Sequence, residues 1–226
     1  MKVELVSFTQ PAGKLKDTDI KDAKDLIAYC ARVSNPANQM NVGSADKLIR
    51  YLKKNRHWSP FELVDVTLEI ETTRDIARQI LRHRSFCFQE FSQRYSDVTE
   101  LGDHVFEYSD ARIQDPKNRQ NSIESDDQAL IDWWRFRQVD IALAAKAIYH
   151  EALNRGIAKE VARKVLPEGL TKSRLFMKGS IRSWIHYLEV RGSGSGTQLE
   201  HMRVAEQVAK AIAKVFSTER LENKGE

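Results

Sequence analysis

Arg82-His83-Arg84, then seven residues, then Ser92 with Gln93-Arg94-Tyr95 behind it, is the densest run of chemically capable side chains in the sequence. A guanidinium stays protonated and grips phosphate or carboxylate oxygens through a planar two-point fork. Crowding such cations costs free energy unless something neutralises them, and an anion with more than one phosphate would do so. Arg74, Arg78 and Arg82 are spaced by four, which on a helix lines them along one face, with Ile76, Ile80 and Leu81 on another. Between 74 and 94 five arginines face only Asp75 and Glu90. An exposed helix whose arginines pair with acids elsewhere in the fold explains the same pattern, because charge runs are usually solvated faces. On charge alone both explanations stand.

The elements that must position these groups are legible in outline. Residues 2–8 read as a short strand, and helices are expected near 22–32 and 44–55. Val64, Val66, Leu68 and Ile70 alternate with Asp65, Thr67, Glu69 and Glu71, the period of two of a strand with one dry and one wet face. A helix over 73–83 should then deliver Arg82-His83-Arg84 at its C-terminal end. Residues 109–127, polar and carrying Pro116, predict a loop or flap. Ser125 with Gln128 predicts a capping box opening a long helix, with Leu130, Trp134, Ile141, Ala145, Ile148 and Ala152 as its inward stripe and Gly156 as its C-terminal stop. A helix from Lys159 to before Pro167, a strand over 170–178, a helix over 180–190 and a last helix over 198–216 complete the expectation. Arg191-Gly192-Ser193-Gly194-Ser195-Gly196 reads as a flexible connector, although its glycines would also allow close approach to a ligand.

Composition narrows the classes. The 36 basic and 32 acidic residues, net +4, are too balanced for a histone-like binder yet compatible with a local basic pocket for small anions. Cys30 and Cys87 form neither a CxxC pair nor a disulfide framework, which predicts a reduced, cytoplasmic setting. No signal peptide pattern and no membrane-length apolar run are present. No cluster has metal-ligand spacing, so no metal is expected. No Gly-x-Gly-x-x-Gly follows the first strand, so a Rossmann dinucleotide site is excluded.

The arginine motif, together with four further segments in order, resembles the flavin-dependent thymidylate synthases. Cys30-Ala31-Arg32-Val33-Ser34, His57-Trp58-Ser59-Pro60-Phe61-Glu62, Ala162-Arg163-Lys164-Val165-Leu166-Pro167, and Arg182-Ser183-Trp184 with Leu188-Glu189-Val190-Arg191 match that family's segments across most of 30–200. Leu63, Gln89, Ser180 and His186 depart from its commoner residues. The length of 226 residues fits one domain, read as a catalytic domain over 1–218 with a disordered tail at 219–226. The fold would be α/β in the α+β sense, a central, mostly antiparallel sheet flanked by helices with a non-Rossmann flavin site. The resemblance implies a homotetramer with shared active sites, for which the 128–155 helix is a plausible surface; Trp133 and Trp134 on it are equally explained as core.

The implied reaction is reductive methylation of dUMP to dTMP, with FAD as cofactor, NADPH as reductant and methylenetetrahydrofolate as carbon donor. By that resemblance dUMP is held by Gln79, Arg82, Glu90, Phe91, Ser92, Gln93, Arg94, Arg163 and Arg191. FAD is held by Ser34, His57, Ser59, Glu62, Arg82, His83, Arg84, Glu90, Ser180, Arg182 and His186, with Arg82, His83, Arg84 and Arg182 supplying cations and donors to the pyrophosphate. Arg191 and Ser92 are the catalytic candidates. Uracil C5 is a poor nucleophile, and a fixed cation at the ring favours the N3-ionised form that activates it. Ser92 has no base nearby in sequence and is assigned to positioning. His104, His150 and His201 receive no role. Two other readings remain: a nucleic-acid module using the arginines on phosphates and Phe86, Phe88 and Tyr95 on bases, and a nucleotide-modifying enzyme using Cys87 as nucleophile.

Overall fold

The computed structural model describes residues 1–102, 104–192 and 196–216. The expected tail at 219–226 and the middle of the Ser-Gly patch, 193–195, lie outside the described residues.

Four strands, β1 (Lys2–Phe8), β2 (Asp65–Thr73), β3 (Cys87–Glu90) and β6 (Lys172–Ser180), form one sheet in the order β1-β2-β6-β3, every pair antiparallel. The expected antiparallel α+β arrangement is therefore present. β2 alternates as predicted: Val66, Leu68 and Ile70 are fully buried. On its other face acids meet the cations of β6, with Arg174 Nε 3.2 Å from Glu69 and Lys178 Nζ 2.6 Å from Asp65. β6 has the same two faces, because Ser173, Leu175 and Met177 point inward between Lys172, Arg174, Phe176 and Lys178.

Helices α1 (Ala23–Ala31) and α2 (Ala45–Lys54) form a pair beside the sheet. Asp22 caps α1 by accepting the Asp25 amide at 2.9 Å. α6 (Ile181–Arg191) follows β6 directly and α7 (Leu199–Ala213) packs across β1 and β2. Trp184, fully buried on α6, donates its indole N–H to the Val66 carbonyl at 3.1 Å and so locks α6 to the sheet.

Several expectations need correction. α3 runs only over Arg74–Ile80. The amides of Arg82 and His83 turn back to the carbonyls of Gln79 and Ile80, a three-residue closure that ends the helix. The arginine-histidine-arginine run therefore occupies the turn into β3, an edge strand not anticipated. Within 109–127 a two-stranded hairpin is found, β4 (Arg112–Gln114) on β5 (Ser122–Glu124), with Pro116 between them. The long helix α4 (Gln128–Asn154) is capped by Asp127, which accepts the Leu130 amide at 3.1 Å, and not by Ser125, whose hydroxyl accepts from Asp127. Its buried face is Gln138, Ala142, Ala145 and Tyr149, so Trp134, Ile141 and Ile148 of the predicted stripe, and Trp133 with them, face outward. A nearly even distribution of apolar side chains around α4 makes its inward face unreadable from spacing alone. Gly156 does stop it, at φ +80°. The short α5 (Lys159–Ala162) continues as a 3₁₀ turn through Val165.

Gly179 on β6 lies under the Phe86 ring, and a Cβ there would overlap that ring. Phe86 is itself held edge-on to Trp184 with centroids 4.7 Å apart, so it has little room to give. Gly179→Ala is expected to lower unfolding free energy by about 2 kcal/mol, as overpacked cores do; an unchanged denaturant midpoint would refute this.

Candidate active site

Around α3 and β3 the arginines divide into two populations. Arg74 and Arg78 hold Glu90, at 3.8 and 3.3 Å, and the Ser173 hydroxyl donates to the same carboxylate at 2.8 Å. For these two arginines the pairing explanation is correct. Arg78 also meets Glu168 at 3.2 Å, and Arg94 meets Glu160 at 3.2 Å, both at exposed positions where such pairs stabilise little. By contrast the side chains of Arg82 and Arg84 are exposed, Arg163 is half-buried, and none of the three has an ion-pair partner among the described residues. Arg163 lies near enough to Arg74 for its charge to disfavour the protonated form there, behind burial and Arg78. Ser92 and Phe91 follow β3, and Gln93 behind them is buried with its side-chain nitrogen unpartnered. A buried donor left open is a cost that a ligand acceptor can remove.

A second group sits at the other end of β6. Ser180, the N-cap of α6, donates to Glu62 at 2.6 Å, and Arg182 donates to the other oxygen of that carboxylate at 2.7 Å. These hydrogen bonds and the Arg182 charge outweigh burial and hold the Glu62 carboxyl below its usual range. Glu62, Arg182 and His186 line a cavity of about 430 Å³ that Trp58 and Ile185 make apolar on one side. An apolar wall with charged and hydroxyl groups at its rim suits a flat heteroaromatic ring carrying polar edges, so this part of the predicted FAD set fits a flavin. Ser34 and the neighbouring Tyr51 line a separate cleft, and His57 stands edge-on to Tyr51 at 6.0 Å. Ser59 is exposed at the start of the 3₁₀ turn that ends at Leu63.

His83, expected among the cations and donors for the pyrophosphate, meets Arg191. Arg191 donates its Nε–H to His83 Nε2 at 3.0 Å, which requires an unprotonated nitrogen there. Burial first, then the positive charge of Arg191, push the His83 imidazole down to about 4. His83 thus orients Arg191 and adds no charge of its own. Behind it Tyr187, His201 and Gln198, none of them anticipated, reach to Gln79. His201 falls on the periodic stripe with Val204, Ala205, Val208, Ala211 and Ile212, and a histidine on such a buried stripe was the available signal.

The predicted residues are therefore not gathered at one point of the chain. Ser173 beside Glu90 and Ser180 beside Glu62 are seven residues apart on β6, roughly 23 Å at ~3.3 Å per strand residue. Among the described residues no metal-ligand cluster is found, and no helix is long and apolar enough to cross a membrane.

Comparison with known proteins agrees with the segment matches. The family model described as thymidylate synthase complementing protein matches residues 14–217. A flavin-dependent thymidylate synthase of Synechocystis sp. is 49% identical over 218 residues, 96% of this chain and 97% of that protein. A probable flavin-dependent thymidylate synthase of Paramecium bursaria Chlorella virus 1 is 45% identical, covering 96% of this chain and 95% of the other. Among solved structures, a UMP/dUMP methylase from Streptomyces cacaoi bound with 5-Br dUMP superposes with a TM-score of 0.77 at 30% identity, covering 95% of this chain and 90% of that one.

Neutral histidines give the site a pH signature. His83 and His201, lowered by burial and by Arg191 to about 4 and about 3, stay neutral in the fold while an unfolded histidine protonates near 6.5. The unfolded state then binds more protons below that value, so stability is full above pH 6.5 and falls as pH drops toward 4. Thermal melts across that window should show Tm declining before the carboxylates begin to titrate; a flat Tm there would mean the imidazoles are not held neutral.

Proposed function

This chain belongs to the thymidylate synthase complementing protein family, that of the flavin-dependent thymidylate synthases, and from that premise we propose how its residues divide the work. Its activity is the flavin-dependent methylation of dUMP to dTMP. The observation carrying the site assignment is the set of guanidiniums without an ion-pair partner among the described residues, Arg82, Arg84 and Arg163, beside a sheet edge whose other arginines are already paired. Phosphate is the ligand group that such a set accommodates.

In our assignment Arg82 and Arg163 hold the dUMP phosphate with Ser92, joined by Arg94 as it exchanges its exposed pair with Glu160 for the phosphate, while Gln79, Glu90, Phe91 and Gln93 seat the nucleoside. The Streptomyces methylase with a bound 5-bromo nucleotide supports a nucleotide in the corresponding fold. Arg191 stabilises the N3-ionised uracil whose C5 is electron-rich. Being permanently protonated it cannot shuttle the proton itself; its part is a fixed positive charge, aimed by the neutral His83. Ser92 is a positioning group, since its carbonyl accepts the amides of Tyr95 and Ser96 and no base bonds its hydroxyl among the described residues. Cys87 is exposed on the edge strand, with no activating partner bonded to its thiol among the described residues.

We assign FAD to the residues named above at the Glu62 end, with Arg84 and Arg182 toward its pyrophosphate; when bound, the flavin supplies hydride-transfer chemistry. NADPH as reductant and methylenetetrahydrofolate as carbon donor complete the stoichiometry. The separation of the Glu90 and Glu62 groups along β6 supports active sites shared between subunits, and the outward Trp133, Phe136, Ile141, Leu143 and Ile148 of α4 support a homotetramer. Residues 1–218 then act as one catalytic unit, and the free Cys30 and Cys87 suit a cytoplasmic setting.

The first measurement is the visible spectrum of the purified protein, expected to show flavin bands that bleach with NADPH in the absence of oxygen. A colourless protein that takes up no FAD would sink the assignment. Arg191→Ala should cut dTMP formation about 100-fold or more while flavin stays bound, the size of effect of removing one preorganised donor. Cys87→Ala should leave turnover near wild type; loss of turnover would restore the thiolate route.

A further inference from the structure

A directed chain of hydrogen bonds runs through the core behind the proposed substrate site. Tyr187 is fully buried, and the one hydrogen-bond partner of its hydroxyl among the described residues is His201 Nε2, at 3.1 Å. A buried hydroxyl gains by placing its proton on an acceptor, and His201 Nε2 is the acceptor in reach, an arrangement in which Tyr187 donates and Nε2 is bare. The His201 proton then sits on Nδ1, which faces Gln79 Oε1 at 3.2 Å. An amide oxygen can only accept, so the direction is consistent. With its oxygen held there, Gln79 turns its NH2 the other way, and one of those hydrogens goes to Gln198 Oε1 at 2.7 Å. The second N–H has no partner among the described residues.

We infer that His201 is a positioning residue for substrate recognition, fixing the Gln79 amide so that it offers a hydrogen-bond donor to an acceptor oxygen of the bound nucleotide. This rests on the assignment of Gln79 to the dUMP site. Turned over, the same amide would offer an acceptor and would clash electrostatically with a carbonyl, phosphate or ether oxygen. His201 is fully buried, and the charged or titratable groups around it are Arg191, His83 and Tyr187, none of them an acid that would favour imidazolium. Its charge-free state is therefore stable, and the tautomer, rather than the charge, carries the information.

Two substitutions separate this from a packing role, because Asn places its amide nitrogen near the Nδ1 position and Gln places its own near Nε2. In full-length protein loaded with FAD, His201→Gln should raise KM for dUMP about tenfold or more, the cost of an unsupported polar pair, with kcat within about threefold. His201→Asn should stay within about threefold of wild type on both. Equal KM effects in the two variants, or none in His201→Gln, would overturn the inference. Flavin content and Tm check that each variant folds. If neither does, ¹⁵N-histidine spectra of the wild type decide. Two imidazoles, His83 and His201, should carry the proton on Nδ1 and not titrate between about pH 5 and pH 8; a His201 proton on Nε2 would overturn the inference. Failure of the wild type to bind dUMP would instead refute the substrate assignment, whereas intact binding with indistinguishable variants would refute His201 alone.

Discussion

Positive charge left uncompensated beside a folded core is the condition that the site depends on. A ligand phosphate can be bound by Arg82, Arg84 and Arg163 only if no acid in the chain satisfies them first. Glu90 would be the obvious competitor, and it is tied instead to Arg74, Arg78 and Ser173. The histidine nearest Arg191 avoids adding to the repulsion by staying neutral. Desolvation disfavours the charged imidazole, and an adjacent guanidinium disfavours it again. The result is a cationic surface standing on an uncharged, hydrogen-bonded foundation.

The groups around Arg191 come from several elements of the fold. Gln79 belongs to α3, Tyr187 and Arg191 to α6, His201 to α7 and His83 to the turn before β3. Two hydrogen-bonded groups, Gln198–Gln79–His201–Tyr187 and Arg191–His83, thus join four segments from different parts of the chain, with the His83 and Tyr187 rings packed edge-on at 4.9 Å between them. Preorganisation of this kind is what electrostatic stabilisation of a developing charge requires, since no reorganisation has to accompany the reaction.

Much of this was legible in the chain. β2 announced itself by alternation, and the arginine motif by its density. β6 was harder, because Lys172, Arg174 and Lys178 look like a solvated run until the acids of β2 are seen opposite them. The inward stripe of α4 could not be read, as its apolar residues surround it and small Ala142 and Ala145 mark the buried side. The end of α3 was misplaced by three residues, because the tight turn there is set by tertiary contacts of His83 and β3 and not by a glycine or proline. The candidate ligand sets followed from segment resemblance, but the pairing of Arg74 and Arg78, the neutrality of His83 and the place of His201 depend on which groups meet in space.

The cross-strand charge pairing of β6 has a consequence for how this gene can change. A slip of one residue would carry Arg174 and Lys178 into the packed interior and expel Leu175 and Met177 into water. Misaligned pairings are thereby disfavoured twice over, by ionic and by apolar contacts at once. Insertions or deletions should consequently be excluded from the codons of β6 and tolerated in the turn between β4 and β5, so that length variation within a lineage would collect at one corner of the molecule and leave the sheet in a single register.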